Sequence, residues 1–324
     1  VGVVNAMLFA ALAAGLAAIM LRPYPTQDLV NPGGVPHEVP ISGRGAGNLW
    51  WHSRPVDRVP VMATATAALL LVTNLGFSWL TVDMRHLPTE KPIGQRLAAG
   101  GELVASHWDG FARTDLIDLG DTLDPATPYE LYMDGAAGSV MPPAGGHPAL
   151  WRDIGFFPYA TEQPQRVFII GAGGGLDIWF ALQGNSDEIT AVEVNRASLQ
   201  LLQEYGDYNG QIAEQPEVRL IIDEGRSLLA REDRVYDLIS LSQVVTAVAE
   251  RDGYALVEND TYTLEAFKTY LDHLTEDGVI ALKLYDEITL SRALTTALTA
   301  LKARGLTDSE ALAHTMVLSD SSVE

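Results

Sequence analysis

The sequence predicts an α/β protein: a doubly wound parallel sheet in the C-terminal half, preceded by a small antiparallel β unit and two N-terminal transmembrane helices. Three observations predict it. From Arg166 onward, short apolar segments alternate with stretches of helical pattern. Residues 102–140 alternate apolar and polar groups between turn residues, and two long uncharged runs stand near the start. The chain has 324 residues, and at ~150 residues per domain it holds more than one unit. We divide it into a membrane region (1–99), a small β domain (100–147) and a Rossmann-like α/β domain (148–324).

Composition narrows the function. The chain carries 42 acidic against 21 basic residues, a net charge of -21. So acidic a surface repels phosphate backbones, so no nucleic-acid partner is expected. The absence of cysteine excludes disulfides and thiolate metal sites. Seven histidines are scattered without ligand spacing, and no metal is expected. A mean hydropathy of +0.09 is high for such an acidic chain, so its apolar residues must be concentrated somewhere.

They are concentrated at the start. Val1 to Leu21 carries no charge and ends at Arg22; a second uncharged run, Val59 to Val82, lies between Arg58 and Asp83. A helix needs ~20 apolar residues to cross the hydrocarbon core, so both runs read as spans, about 1–21 and 59–82. The first lacks the basic n-region of a secretory signal. Thr64, Thr66, Thr73 and Asn74 dilute the second, which leaves a buried core helix as its alternative. Starting at Val1, the sequence reads as part of a longer membrane protein. The expected location is therefore the membrane, with the C-terminal domain in the cytoplasm. Loop charge does not decide the orientation, because basic residues stand on both sides of the second span.

The residues between the spans, 23–58, are rich in Pro and Gly and read as an irregular loop. A short linker, 83–99, follows. LIDLG and PYELYMDG belong to the antiparallel β unit, and Pro142, Pro143, Gly145 and Gly146 end it. The strands that follow are RVFII (166–170), EITAVEV (188–194), VRLII (218–222), YDLISLS (236–242) and GVIALKLY (278–285), with HTMVLS (314–319) as one more. Helices are expected at 176–183, 196–205, 225–231, 262–274 and 288–304. Strands so short and so continuously apolar are covered on both faces, and their alternation with helices implies right-handed crossovers.

The sharpest motif is Gly171-Ala172-Gly173-Gly174-Gly175, directly after RVFII and directly before a helix. Glycines there let the backbone turn tightly and approach a ligand, while the helix N-terminus offers free N–H groups. Position 176 is Leu, so the pattern is G-x-G-x-G rather than the dinucleotide fingerprint, and it suits a Rossmann-like fold of the S-adenosylmethionine type. Glu193 ends the next strand about twenty residues on, where an acid grips ribose hydroxyls. Asp223, Glu224 and Gly225 follow VRLII at another strand end, where an acid can accept from an adenine amino group; capping of the next helix is the alternative. Gly171, Gly173, Gly175, Asp177, Glu193, Asp223, Glu224 and Gly225 are thus the candidate nucleoside-binding residues.

Taken together, these segments resemble the spermidine synthase-like aminopropyltransferases, a branch of the class I methyltransferase fold. The resemblance covers roughly residues 100–320. It rests on LYMDG (131–135), GAGGG, the AVEVN strand end, DEGRSLL (223–229), YDLIS and the ENDTYTLEAF…LTEDGVIAL run (258–282). More closely, the chain looks like a membrane-anchored subgroup in which such a domain follows hydrophobic spans. The resemblance implies that Glu193 binds ribose, that Glu224 takes the place of the adenine-contacting acid, and that 102–140 is the family's N-terminal β domain. It also places Asp134 near the mouth of the site.

Two departures bear on the reaction. Where the family ends the YDLISLS strand with an Asp that deprotonates the attacking amine, this chain has Ser242. Where the family has an acid within the glycine loop, this chain has Gly174, with Asp177 three residues on. A serine is no base at neutral pH without an activator. Ser242, Asp134 and Glu258 are the candidate catalytic residues; a turn role is the alternative for Asp134, and helix capping for Glu258 and Asp260. The expected function is a membrane-anchored, spermidine synthase-like transferase. Its co-substrate would be S-adenosylmethionine or decarboxylated S-adenosylmethionine, and its acceptor a small molecule, with an amine among the candidates. The alternatives are an S-adenosylmethionine-dependent methyltransferase and a non-catalytic nucleoside- or polyamine-sensing domain. A homodimer is compatible with either reading.

Overall fold

A computed structural model describes residues 3–20, 58–77, 80, 91–109, 111–244, 260–284 and 286–319. The Pro/Gly-rich loop, except Arg58, and Glu258 lie outside the described residues. The chain divides into two compact units, Val1–Val82 and Asp83–Glu324.

The first unit is a pair of helices, α1 (Val3–Met20) and α2 (Arg58–Phe77). Two spans were expected, but among the described residues only Val59–Phe77 is a helix long and apolar enough to cross a membrane. In α1 the apolar helical stretch is Asn5–Ala14. The helix itself runs unbroken over its 18 residues, so at 1.5 Å per residue it is about 27 Å long. The threonines that dilute α2 cost it little. Thr64 and Thr73 donate their hydroxyls to Pro60 O (2.7 Å) and Leu69 O (2.9 Å), one turn back. Asn74 donates across the pair to Asn5 Oδ1 at 2.8 Å, so these amides satisfy each other where apolar surroundings would offer nothing.

The second unit opens with a helix where a linker was expected. Pro92, pre-set for helical φ at the first turn, begins α3 (Pro92–Ala98). This helix lays a fully buried Ile93 against Ile117, Leu119 and Tyr132. Arg96 holds Glu130 with two bonds, Nε to Oε2 at 2.9 Å and Nη2 to Oε1 at 2.8 Å. The β unit beneath is an antiparallel meander of β1 (Glu102–Trp108), β2 (Arg113–Asp118), β3 (Tyr129–Met133) and β4 (Ala137–Met141).

The second sheet is parallel throughout. It comprises β5 (Arg166–Ile170), β6 (Glu188–Glu193), β7 (Val218–Ile222), β8 (Tyr236–Ser242) and β9 (Leu274–Lys283), in the order β7-β6-β5-β8-β9. Alternate residues of β5 feed two cores, as expected for a strand covered on both faces. Val167 and Ile169 pack with helix Leu176–Gln183 and with Leu116, Leu131 and Met141 of the β unit. Phe168 and Ile170 pack with Leu229, Phe267, Tyr270 and Ala293 on the other face. The expected helices form at Leu176–Gln183, Arg196–Glu204, Gly225–Leu229, Leu264–Asp272 and Glu287–Ala303.

The expected strand HTMVLS does not form. Residues 315–319 join no ladder, and Met316, Val317 and Leu318 are exposed. A period-2 pattern supplies two faces but no hydrogen-bonding partner, and the partner makes the strand.

Candidate functional site

Strand order reverses between β5 and β8, and ligands of open α/β sheets bind outside the strand C-termini at such a switch point. The glycine loop leaves β5 there. Gly171, Gly173 and Gly175 take φ of +82°, +50° and +90°, and Gly175 caps helix Leu176–Gln183. Gly174 is fixed by contact instead: a Cβ on it would lie 2.2 Å from Val140 O in β4. Its N–H donates to Ser139 Oγ at 2.8 Å. The β unit therefore rests on the loop, and a side chain at Gly174 would run into the β4 backbone.

Glu193, at the C-terminal end of β6, is buried and faces this loop. Its Oε2 accepts from Gly173 N (2.8 Å) and its Oε1 from Asn195 N (2.8 Å). Burial pushes its carboxyl above the usual range, opposed by the N–H groups of Asn195 and Gly173. A carboxylate has about four acceptor positions, and the backbone N–H groups of Gly173, Asn195 and Val194 all act on this one. Asn195 fixes the geometry from behind: its Nδ2 donates to Thr114 Oγ1 at 2.7 Å, tying β6 to β2.

At the end of β7, Asp223 pairs with Arg231 and accepts from Glu224 N–H at 2.8 Å. Glu224 caps the next helix, accepting from Arg226 N (3.0 Å) and Ser227 N (2.8 Å). Burial acts upward on its carboxyl, but the Ser227 and Arg226 donors outweigh it and hold the group below the usual range. Both acids thus have structural duties; Gly225 opens that helix directly over Ile170.

Asp177 reaches the switch point from the first turn of helix Leu176–Gln183. It is 7% exposed. Its Oδ1 accepts from Ser242 Oγ (2.8 Å), Ser240 Oγ (3.1 Å) and Tyr159 OH (3.2 Å). Burial raises its carboxyl above the usual range, against the Ser242 and Ser240 hydroxyls and the positive charge of Lys283. Burial also lifts the Tyr159 phenol well above its ordinary value, with the Asp177 charge adding to it. Ser242 lies opposite Lys283 in the β8–β9 register, and Lys283 Nζ holds both oxygens of Asp153, at 2.7 and 2.9 Å.

The structure thus gathers the glycine loop, Glu193, Asp177 and Ser242 around one switch point. Asp134 is used elsewhere. It sits at φ +50° in the β3–β4 turn, accepting from Arg113 N (3.0 Å), while its carbonyl accepts from Lys91 Nζ (2.8 Å). Tyr159, Ser240, Lys283 and Asp153 were not singled out from the sequence. Ser240 had a signal, the i+2 spacing to Ser242 that puts both on one strand face. The others come from distant segments.

Two clefts lie elsewhere. One, of about 210 Å³, lies between Glu188, Thr190, Val218 and Arg234 at the N-terminal ends of β6 and β7; the other, of about 420 Å³, lies between Trp151, Phe157 and Leu318. The first is at the wrong strand ends for a nucleoside, and the second touches the switch-point groups only through Asp153.

No known protein family and no curated protein matches the sequence. Among solved structures, the chain is similar to spermidine synthases. One, in complex with the transition-state analogue AdoDATO, is 16% identical over 62% of this chain and 63% of its own, with a TM-score of 0.44. Spermidine synthase from Thermotoga maritima is 16% identical over 62% of each chain, with a TM-score of 0.45. A probable spermidine synthase from Corynebacterium glutamicum is 17% identical over 62% of this chain and 71% of its own, with a TM-score of 0.46. The chain spans less than two thirds of the length of the first two. Strand order, the glycine loop and Glu193, not these similarities, carry the functional reading.

Proposed function

We propose that the second unit binds the nucleoside of S-adenosylmethionine or its decarboxylated form. It would transfer a group from the sulfonium to a small acceptor, with α2 anchoring the chain in a membrane. The observation that carries the reading is Glu193. A buried carboxylate at a strand end, bonded to the glycine loop at 2.8 Å, is held where ribose hydroxyls would arrive. The sulfonium is a good leaving group, so positioning and deprotonation of the acceptor supply most of the rate. Transfer of an aminopropyl group releases methylthioadenosine. Methyl transfer is the second reading, favoured by Gly174 and Ser242 standing where a dicationic acceptor would need carboxylates.

Calorimetry of the full chain in mild detergent tests both. Methylthioadenosine and one of the two sulfonium nucleosides should bind, and the preferred one separates aminopropyl from methyl transfer. Binding of neither removes the reading. Carbonate extraction of membranes tests the anchor: the chain should stay in the pellet, and loss of residues 58–77 should release it.

A further inference from the structure

The end of β8 carries Ser242 rather than a carboxylate, and Gly174 leaves no room for one, because Val140 O fills that space. Yet a carboxylate stands directly behind it. Three hydroxyls converge on Asp177 Oδ1, and of the two from β8, Ser242 is the nearer to the strand end and only half-buried. On the adjoining strand, Lys283 puts a fixed cation level with Ser242, its ammonium already paired with Asp153. Resting on the transferase reading above, we propose that Ser242 and Asp177 form a proton relay serving an amine acceptor that carries a single positive charge.

The step balances without any further reactant. The acceptor ammonium gives a proton to Ser242 Oγ as the Ser242 hydroxyl proton passes to Asp177 Oδ1. The freed nitrogen lone pair forms a bond to the carbon beside the sulfonium. The carbon–sulfur bond breaks, its electron pair stays on sulfur, and methylthioadenosine leaves. The product is a secondary ammonium, and Asp177 returns its proton to water. Ser242 would be the catalytic residue and Asp177 a positioning residue acting through it.

Lys283 sets the acceptor class. A diamine brings two ammonium groups; of the carboxylates described at the switch point, Asp153 is paired with Lys283 and Glu193 is bonded to the glycine loop, which leaves Asp177 to meet an ammonium. A second cation finds no free carboxylate beside Lys283, because Asp153 is already paired with it. A monoamine meets only Asp177. The groups facing Asp177 are Tyr159 from helix Phe157–Glu162, Ser240 and Ser242 from β8, and Lys283 from β9. Burial holds the Asp177 carboxyl above the usual carboxylate range, so an acid limb that disappears in Asp177→Asn belongs to Asp177.

The experiment follows methylthioadenosine release by the full chain in detergent. Decarboxylated S-adenosylmethionine is the donor, against putrescine and a set of linear monoamines, from pH 5 to 9. Calorimetric affinity for methylthioadenosine is measured alongside. The wild type should favour monoamines over putrescine at least tenfold. Asp177→Asn should lower kcat 10²–10⁴-fold, the usual worth of a general base, and abolish the acid limb while changing nucleoside affinity less than threefold. Ser242→Ala, at a half-buried position, should do the same if Asp177→Asn misfolds, and Ser242→Asp should rescue Asp177→Asn. Wild-type kcat and pH profile in Asp177→Asn or Ser242→Ala overturn the relay. So does a preference for putrescine, or nucleoside binding without turnover of any amine, and both leave the nucleoside reading intact. Failure to bind methylthioadenosine overturns the reading beneath it instead.

Discussion

Replacing Gly174 by alanine adds a single methyl group to the glycine loop at a place where backbone already stands. The new Cβ would lie 2.2 Å from Val140 O, 2.6 Å from Val140 C and 3.1 Å from Met141 N, whereas ordinary contact begins at 3.4 Å. Loop and strand must therefore part by about 1 Å, the distance by which these contacts fall short of ordinary van der Waals spacing. Neither is free to do so. β4 is held along its length by β3, and Met141 is fully buried in the core that also holds Trp179 and Ile178. Separation also breaks the bond from Gly174 N–H to Ser139, worth about 1 kcal/mol. Overpacking strain in a closed core adds about 1–3 kcal/mol. We expect a total near 3 kcal/mol, which for a unit of this size lowers Tm by roughly 6–12 °C. The assay is thermal melting of Gly174→Ala beside Gly145→Ala, whose Cβ meets nothing within 4 Å and which should melt like the wild type. A Gly174→Ala protein melting within 1 °C of the wild type would refute the close approach of β4 to the loop.

Glu193→Ala should reduce methylthioadenosine affinity beyond detection while the fold survives, since hydrogen bonds to a charged group are worth ~1.5–3 kcal/mol each; unchanged affinity by calorimetry removes Glu193 from the site. Asp177→Asn should melt at or above the wild type at pH 7.5. A carboxyl raised by burial adds stability below the ordinary carboxylate range and loses it as pH rises through its folded value, so the advantage should vanish near pH 4. Glu224→Ala should cost about 1 kcal/mol at pH 7 through the lost cap. Its carboxyl is lowered in the folded state, so that deficit should persist to below the ordinary range and close only as pH falls through the folded value. Ile93→Ala should cost about 2–5 kcal/mol, because α3 is buried in the second unit; a chain starting at residue 83 should then fold by circular dichroism, and one starting at residue 100 should melt earlier.

The sequence by itself determined the elements whose cause is local. RVFII, YDLISLS and the helices between them announce themselves by apolar runs and periodicity, and the glycine loop by composition and by its place between strand and helix. The place of Glu193 beside the glycine loop was legible because a strand end and a spacing coincide there. The Asp177 site was not legible as a whole, since Tyr159, Ser240, Ser242 and Lys283 come from three separate segments and meet only once β8 and β9 lie in register beside β5. Likewise, nothing local says that Glu224 will cap its own helix, that Asp134 will be taken up by Arg113, or that α3 belongs with the β unit. HTMVLS has the pattern of a strand, but a ladder needs a partner edge at the right place. Alternation along one segment fixes which side chains share a face; only the packed chain fixes what that face meets.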